Sequence, residues 1–245
     1  MVDHRLAESF RTIGEEYDRR RPGFPAATAD EIVPAPVRTI LDLGAGTGKF
    51  TALLTALAER VIAVEQSRAM LDVLRRRLPE VEALDGSAER IPVPDASVEV
   101  VTVAQAFHWF DREAASAEIR RVLTAHGVLG LVWNHSDPSC SWDRACTRVA
   151  HPALSGGLSG DDVTKELLPG FAPPRFTQVS WRETITRADY VARWLTVSSF
   201  LAADDDVRAG MVARVERILD EDPETAGRDA FELPQVTDVY VYRAA

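Results

Sequence analysis

The spacing of apolar positions changes character along the chain. Residues 3 to 20 place Leu6, Phe10, Ile13 and Tyr17 at intervals of three and four, the stripe of an amphipathic helix. Arg21-Pro22-Gly23-Phe24-Pro25 breaks that stripe, and Pro25 suits the first turn of a further helix running to about Ile32. From Thr39 onward, short apolar runs alternate with amphipathic stretches. Thr39–Leu43, Arg60–Val64, Val81–Leu84, Val98–Val103 and Val128–Trp133 predict strands. Between them Phe50–Ala58, Arg68–Leu78 and Ala114–Leu123 predict helices, the last closed by Gly127 in a left-handed cap.

Strand–helix alternation over about a hundred residues implies a parallel sheet with both faces covered. Right-handed crossovers make that sheet doubly wound, with its ligand crevice at the carboxyl ends of the strands. Beyond Asn134 the pattern predicts helical, polar residues 142–168, interrupted at Ser155-Gly156-Gly157. There follow a strand Arg175–Thr186, helices Asp189–Ala202 and Val207–Leu219, and an edge strand Thr237–Tyr242. No internal repeat or low-complexity tract appears.

Leu41-Asp42-Leu43-Gly44-Ala45-Gly46-Thr47-Gly48 follows the first strand and precedes a helix, the context of a nucleotide-binding glycine loop. Gly44 and Gly46 permit tight turning and close approach of a ligand to backbone, and Gly48 lets the next helix pack near the strand. A dinucleotide loop would want its third glycine where Lys49 stands. A phosphate-cradling loop would want glycine at Leu43 and a hydroxyl at Phe50. An acid followed by Gly-x-Gly-x-Gly is met in full by Asp42, Gly44, Gly46 and Gly48.

By that pattern the chain resembles the class I S-adenosylmethionine-dependent methyltransferases over most of its length. The resemblance implies a Rossmann-like, mostly parallel seven-stranded α/β sheet with a helical N-terminal arm and a helical lid insertion. One domain spans residues 1–245: an arm at 1–36, a cofactor-binding core at 37–135, and lid and C-terminal strands at 136–245. The cofactor is then S-adenosylmethionine. Lacking a pyrophosphate, it meets the backbone of Gly44, Ala45 and Gly46 through its methionine portion, while Asp42 faces the ammonium, directly or through water. Glu65, with Gln66 beside it, ends the second strand about 20 residues after the first glycine, where an acid grips ribose hydroxyls. Asp85-Gly86-Ser87-Ala88-Glu89 resembles the segment that cradles adenine, which implies Ser87, Ala88 and Glu89 at the ring edge.

Ala104-Gln105-Ala106-Phe107-His108-Trp109-Phe110 is similar to a stretch of the trans-aconitate methyltransferase-like subgroup. The likeness places Gln105 and Ala106 beside the cofactor and turns His108 and Trp109 toward the acceptor. The arm is similar to the same subgroup, with Phe24 in place of its tyrosine. Arg21 would then pair with the cofactor carboxylate while Tyr17 closes over it. His108 is the expected general base for a hydroxyl or amine acceptor, since an imidazole titrates near pH ~6.5. A carboxylate acceptor would need an orienting arginine instead of a base.

Composition narrows the partners. The net charge of -10 opposes a nucleic-acid partner held through phosphates, and the resemblance implies a small-molecule acceptor. Arg19–Arg21 and Arg75–Arg77 read as solvated runs. Two cysteines, Cys140 and Cys146, fit neither a disulfide framework nor a zinc site, and the five histidines lack ligand spacing, so no metal is expected. No apolar run reaches membrane-spanning length and the first residues lack an apolar signal core, so the cytoplasm is the expected compartment. Asn134-His135-Ser136 matches a glycosylation sequon without a secretory context. Gly157-Leu158-Ser159-Gly160-Asp161 lacks the final glycine of a nucleophile elbow. The aromatics Trp181, Tyr190, Trp194 and Phe200 read as core or lid packing, with a substrate cage as the alternative. A non-catalytic binder of the same cofactor and a nicotinamide-dependent oxidoreductase are the competing readings. Neither the acceptor nor the oligomeric state can be read from the sequence.

Overall fold

The computed structural model describes residues 22–151 and 167–245. The predicted arm helix, with Tyr17 and Arg21, lies outside the described residues. So do the Ser155-Gly156-Gly157 interruption and the Gly157–Asp161 segment.

In chain order the elements are α1 (Ala26–Ile32), β1 (Val37–Leu43), α2 (Thr51–Leu54), β2 (Ala58–Glu65), α3 (Arg68–Arg77), β3 (Glu82–Asp85) and β4 (Val98–Ala104). A 3-10 turn at Phe107–Trp109 leads to α4 (Arg112–Val122), β5 (Leu123–Ser136), α5 (Ser141–Ala150) and β6 (Arg175–Thr186). Three helices, α6 (Arg187–Trp194), α7 (Ser198–Ala202) and α8 (Asp205–Glu221), precede β7 (Ala230–Arg243). The strands form one sheet in the order β3-β2-β1-β4-β5-β7-β6. The first five pair in parallel, whereas β7 runs antiparallel between β5 and β6. Chain order reverses between β1 and β4, which places the ligand crevice of a doubly wound sheet at their carboxyl ends.

Alternation along the strands assigns each side chain to a face. Leu41 and Leu43 of β1, with Val101 and Val103 of β4, pack on one side against Ala115, Ile119 and Val122 of α4. Ile40 and Val100 face the other side, toward Ile32 of α1, Leu54 of α2 and Leu74 of α3. The helices after β5 build a third core around Trp142, Tyr190, Phe200, Val215 and Leu219. It stands over the end of the sheet where β5 and β6 finish and β7 begins.

Several predicted boundaries shift for physical reasons. The helix expected at Phe50–Ala58 is a single turn, and Ala58 already belongs to β2. Gly127 closes no helix: α4 ends at Val122 and Gly127 lies within β5. A Cβ there would stand 2.8 Å from Leu123 Cδ2 and 3.1 Å from the Glu99 carbonyl, so the glycine serves close strand packing. Thr237–Tyr242 is not an edge strand but the middle of β7, and β6 forms the edge. Antiparallel strands with one buried face share the same alternation at edge and interior, which hides this order from a sequence. Asp189–Ala202 divides into α6 and α7 around Val197, which is extended. Among the described residues, no helix is long and apolar enough to cross a membrane.

α1 seats on Gly130 of β5, where an added Cβ would lie 2.6–2.9 Å from three atoms of the Ile32 side chain. Gly130→Val is therefore expected to overpack that contact and destabilise the protein by about 1–3 kcal/mol. Urea unfolding checks it as a lowered midpoint at unchanged slope. A change below roughly 0.5 kcal/mol, the range of ordinary surface substitutions, would contradict the packing role.

Candidate active site

A cavity of ≈ 930 Å³ opens at the carboxyl ends of the strands, within the size range of small-molecule sites. One end is walled by the loop after β1, the end of β2 and the segment after β3. The other is walled by the end of β5, the helices α5 and α6, and the start of β7. A shallower depression of ≈ 550 Å³ lies at the opposite end of β1, beside the Arg38–Glu99 ion pair, remote from the strand ends. Every candidate residue in the described chain lines the larger cavity: Asp42, Gly44, Ala45, Gly46, Glu65, Gln66, Ser87, Ala88, Glu89, Gln105, Ala106 and His108. Tyr17 and Arg21 lie outside the described residues, but Pro22 and Phe24, which follow them, are on the cavity wall.

The glycine loop is held tightly by its own neighbours. Gly44, Gly46 and Gly48 all have positive φ, which only glycine adopts without strain. At Gly44 a Cβ would stand 2.8 Å from Ala106 Cβ and 3.1 Å from the Phe110 ring, so the loops after β1 and β4 touch there. At Gly46 only Met70 Sδ, 3.9 Å away, would meet a Cβ, and the space above that residue belongs to the cavity. The loop amides point inward rather than toward a ligand. Gly44 and Ala45 N–H groups donate to the Val64 carbonyl at 2.8 and 3.1 Å, and Gly46 N–H donates to Glu65 Oε2 at 2.9 Å. What the loop turns to the cavity is the bare backbone at Gly46.

Glu65 ends β2 and is buried. Its Oε1 accepts from Ser67 N–H at 2.7 Å while Oε2 takes Gly46 N–H. Burial raises its pKa; the backbone bonds from Ser67, Gly46 and Gln66 partly offset this, and the Asp85 charge adds to the rise. A carboxylate has about four lone-pair directions, so these three backbone donors leave it acceptor capacity for a ligand hydroxyl.

Asp42 lines the cavity from deeper in the fold. It is 1% exposed and stands on the α1–α3 face of β1, directly opposite Thr102 of β4 in the strand register. Thr102 Oγ1 donates to its Oδ1 at 2.8 Å, and Thr51 Oγ1, from the turn after the glycine loop, donates to Oδ2 at 2.6 Å. Both oxygens are thus turned to threonines. Asp42 ties β1, β4 and α2 together while also lining the cavity. Burial pushes its pKa up to about 6, against the two hydroxyl bonds and with a smaller push from Glu65. Neither threonine was singled out from the sequence; hydroxyls nine residues and one strand away carry no spacing signal.

At the end of β4, Gln105 adopts φ 58°, a conformation uncommon outside glycine and typical of constrained functional positions. Its N–H donates to the Val132 carbonyl and its side-chain amide to the Asn134 carbonyl at 3.0 Å, which locks it between β4 and β5. Ala88 is buried, and Glu89 accepts the Asp111 N–H at 3.0 Å, joining the segment after β3 to the start of α4. His108 stands exposed on the 3-10 turn, 4.7 Å between ring centres from Trp109, with buried Phe107 anchoring the turn.

The far end of the cavity escaped the sequence reading. His135, Ser136, Asp143, Tyr190, Arg193 and Trp194 all line it. His135 Nε2 lies 3.1 Å from Asp238 Oδ1, and its Nδ1 lies 3.1 Å from the Ser136 carbonyl. Burial alone would lower the His135 pKa, but Asp238, Ser136 and Asp137 outweigh it and the net shift is upward. Tyr190 donates to Asp143 Oδ1 at 2.5 Å, and Arg193 forks onto Glu183 at 2.9 and 2.7 Å. The sequon at Asn134 proves structural. Asn134 Oδ1 accepts from Thr237, and its Nδ2 donates to the Gly23 carbonyl at 2.8 Å, which fastens residues 22–25 to the end of β5. Phe24 packs edge-on against Phe50 with ring centres 5.1 Å apart. Among the described residues no cluster of metal-ligating side chains occurs.

A methyltransferase-domain family model matches residues 41–131. The chain is 38% identical over 234 residues to an uncharacterized methyltransferase of Mycobacterium bovis, covering 95% of this chain and 94% of that protein. It is 37% identical over 171 residues to an uncharacterized methyltransferase of Schizosaccharomyces pombe, 68% of each chain. A solved structure from Anaeromyxobacter dehalogenans, proposed to be a type II methyltransferase, superposes with a TM-score of 0.70 at 26% identity. That superposition covers 91% of this chain and 97% of the other.

The raised pKa of Asp42 has a definite sign. The folded protein binds this proton more readily than the unfolded chain, so the contribution to stability is full below about pH 4 and is lost as pH rises through about 6. Asp42→Asn, with rotatable threonine hydroxyls on both sides, is expected to remove that loss. Unfolding free energies of parent and variant should diverge between pH 4 and 7 in the variant's favour, by up to about 3 kcal/mol at roughly 1.4 kcal/mol per pH unit. Parallel stability–pH curves would contradict it.

Proposed function

Since the chain belongs to the class I S-adenosylmethionine-dependent methyltransferases, we propose that its cavity holds the cofactor at the β1–β4 end and a small-molecule acceptor at the β5–β7 end. The supporting observation is continuity: one cavity runs from the glycine loop, past the end of β4, to the polar wall under α5 and α6. The donor set suits this cofactor. An ammonium and two ribose hydroxyls need acceptors, and the β1–β4 end supplies the Glu65 carboxylate and backbone carbonyls while its amides are internally paired. The open space over Gly46 is where a ligand approaches the backbone.

When bound, S-adenosylmethionine supplies a methyl group activated on a sulfonium sulfur. The chain's contribution is alignment and exclusion of water, and proximity alone can lower such a barrier by about 7–11 kcal/mol. Glu65 accepts the ribose hydroxyls. Ser87, Ala88 and Glu89 bound the adenine, and Gln105 and Ala106 fix the loop nearest the reacting centre. Asp42 is a positioning residue acting through Thr51 and Thr102. His108, at the cavity mouth, takes the acceptor's proton on an imidazole nitrogen if the acceptor is a hydroxyl or amine. The N-terminal segment pinned at Asn134 forms the arm, with Arg21 and Tyr17 assigned to the cofactor carboxylate. Residues 136–245 supply the lid together with the last strands. The stretch Gln105–Phe110 and the Arg21–Pro25 arm support placement near the trans-aconitate methyltransferase-like subgroup. Two unpaired, buried cysteines support a cytoplasmic site of action.

Titration calorimetry with S-adenosylhomocysteine tests the cofactor site. The parent is expected to bind it and to ignore NAD. Glu65→Gln should weaken binding about 10- to 100-fold, as hydrogen bonds to a charged group contribute roughly 1.5–3 kcal/mol each. Binding of NAD in its place, or full affinity in a folded Glu65→Gln protein, would overturn the assignment. His108→Ala is expected to lower turnover by roughly a hundredfold or more, the scale of general-base catalysis, with S-adenosylhomocysteine affinity within about twofold. Unchanged turnover removes His108 as the base.

A further inference from the structure

On one face of β7, Phe231, Leu233, Gln235, Thr237 and Val239 follow one another at intervals of two. Phe231 and Leu233 pack into the core built by α5, α6 and α8, and Val239 packs with Ile32 of α1. Thr237 is polar but already used. It donates to Asn134 Oδ1 at 2.6 Å and accepts from Trp181 Nε1 at 2.9 Å. Gln235 differs from all four. It is 7% exposed, lines the cavity, and stands between Ser136 of β5 and Trp181 of β6 in the strand register. Among the described residues its side-chain amide has no hydrogen-bond partner, yet neither Oε1 nor Nε2 is sealed from the cavity. The polar groups around it are committed elsewhere. Trp181 donates to Thr237, the Ser136 hydroxyl is directed to Asp143, and the Asn134 carbonyl takes the Gln105 amide. The ions on this wall are likewise matched, Arg193 on Glu183 and His135 on Asp238. An amide this deep on a strand is seldom left unpaired, because an apolar side chain would pack there without the desolvation cost.

Resting on the methyltransferase reading, we propose that Gln235 is a specificity-determining residue whose side-chain amide hydrogen-bonds the methyl acceptor, and that the acceptor meets it with a carboxamide-like group. Gln235 offers one acceptor atom, Oε1, and two donors on Nε2. A carboxamide or lactam matches both ends at once, its N–H donating to Oε1 and its carbonyl accepting from Nε2. A carboxylate only accepts, so Oε1 would be left facing a second acceptor. An ammonium only donates, so Nε2 would be left facing a second donor. A hydroxyl acts through one atom and serves one end with good alignment. A site built around a buried hydrogen-bonding group rejects ligands that leave that group unpaired. Val197, Leu233 and Trp194 on the same wall suit an apolar or aromatic body behind the polar group.

Calorimetry on the full chain saturated with S-adenosylhomocysteine, using benzamide, benzoate and benzylamine as probes of similar size, provides the test. Benzamide is expected to bind at least about tenfold more tightly than either of the others. Gln235→Leu should bring benzamide down to their level, with S-adenosylhomocysteine affinity within about twofold. Its Tm should stay within about 4 °C of the parent or rise, since no hydrogen bond within the protein is lost. Gln235→Glu offers acceptors only, so it should move the preference from benzamide to benzylamine. Benzoate or benzylamine matching benzamide in the parent, or none of the probes binding, overturns the proposal. So does an unchanged ranking in either folded variant. A Gln235→Leu protein that fails to fold or melts further below the parent overturns it too, because the amide would then serve the fold. Loss of S-adenosylhomocysteine binding by the parent would instead sink the methyltransferase reading, and the two failures are thereby distinct.

Discussion

A carboxylate buried under the sheet edge sets the shape of the whole crevice. Asp42 draws Thr102 from β4 and Thr51 from the turn after the glycine loop onto its two oxygens. The burial that lifts its pKa to about 6 is the price of fixing three chain segments at one point. The loop after β1 then has only one place to go. Its amides fold back onto Val64 and Glu65, its glycines take left-handed turns, and Gly44 is pressed against Ala106. Without that tie the two loops that meet at the switch point would have no common reference.

The cavity that results divides its chemistry by strand. The parallel half, β1 to β4, presents acceptors for a cationic, hydroxyl-bearing cofactor. The half built from β5, β7 and the following helices presents paired charges and aromatic walls. Antiparallel β7 is what makes this second half possible. Inserted between β5 and β6, it brings its own beginning, Leu233 and Gln235, to the edge where the other strands finish. Glu183 and Arg193, at the end of β6 and on α6, are brought to that same edge. Electrostatic interactions inside such a dry cleft are stronger than in water, so these few fixed groups can decide which ligand is accepted.

The cofactor half was legible in the sequence because it is local. Strand, glycine loop, acid and the next strand-end acid follow one another within about 25 residues, and the backbone there obeys strict steric rules. What the spacing could not show was where each polar group points. The threonines that hold Asp42 went unnoticed because Thr51 and Thr102 stand nine and sixty residues away in sequence. The pairing of the loop amides was likewise invisible, because their acceptors are the Val64 carbonyl and the Glu65 carboxylate of β2. The acceptor half was opaque for the same reason at larger scale. His135 meets Asp238 and Tyr190 meets Asp143 across about a hundred and about fifty residues of chain, and such pairs have no period. Tyr190 and Trp194 were read as packing, which they are, yet the same rings form a cavity wall.

The most direct measurement is a crystal structure of the protein with S-adenosylhomocysteine bound. The account predicts both ribose hydroxyls within about 3 Å of the Glu65 carboxylate and the amino-acid end of the ligand against Gly44–Gly46. Asp42 should still be held between Thr51 and Thr102, and the space beyond the sulfur should open toward Gln235. A ligand seated elsewhere, or one whose ribose lies away from Glu65 with that side chain still closed on Gly46, would contradict it.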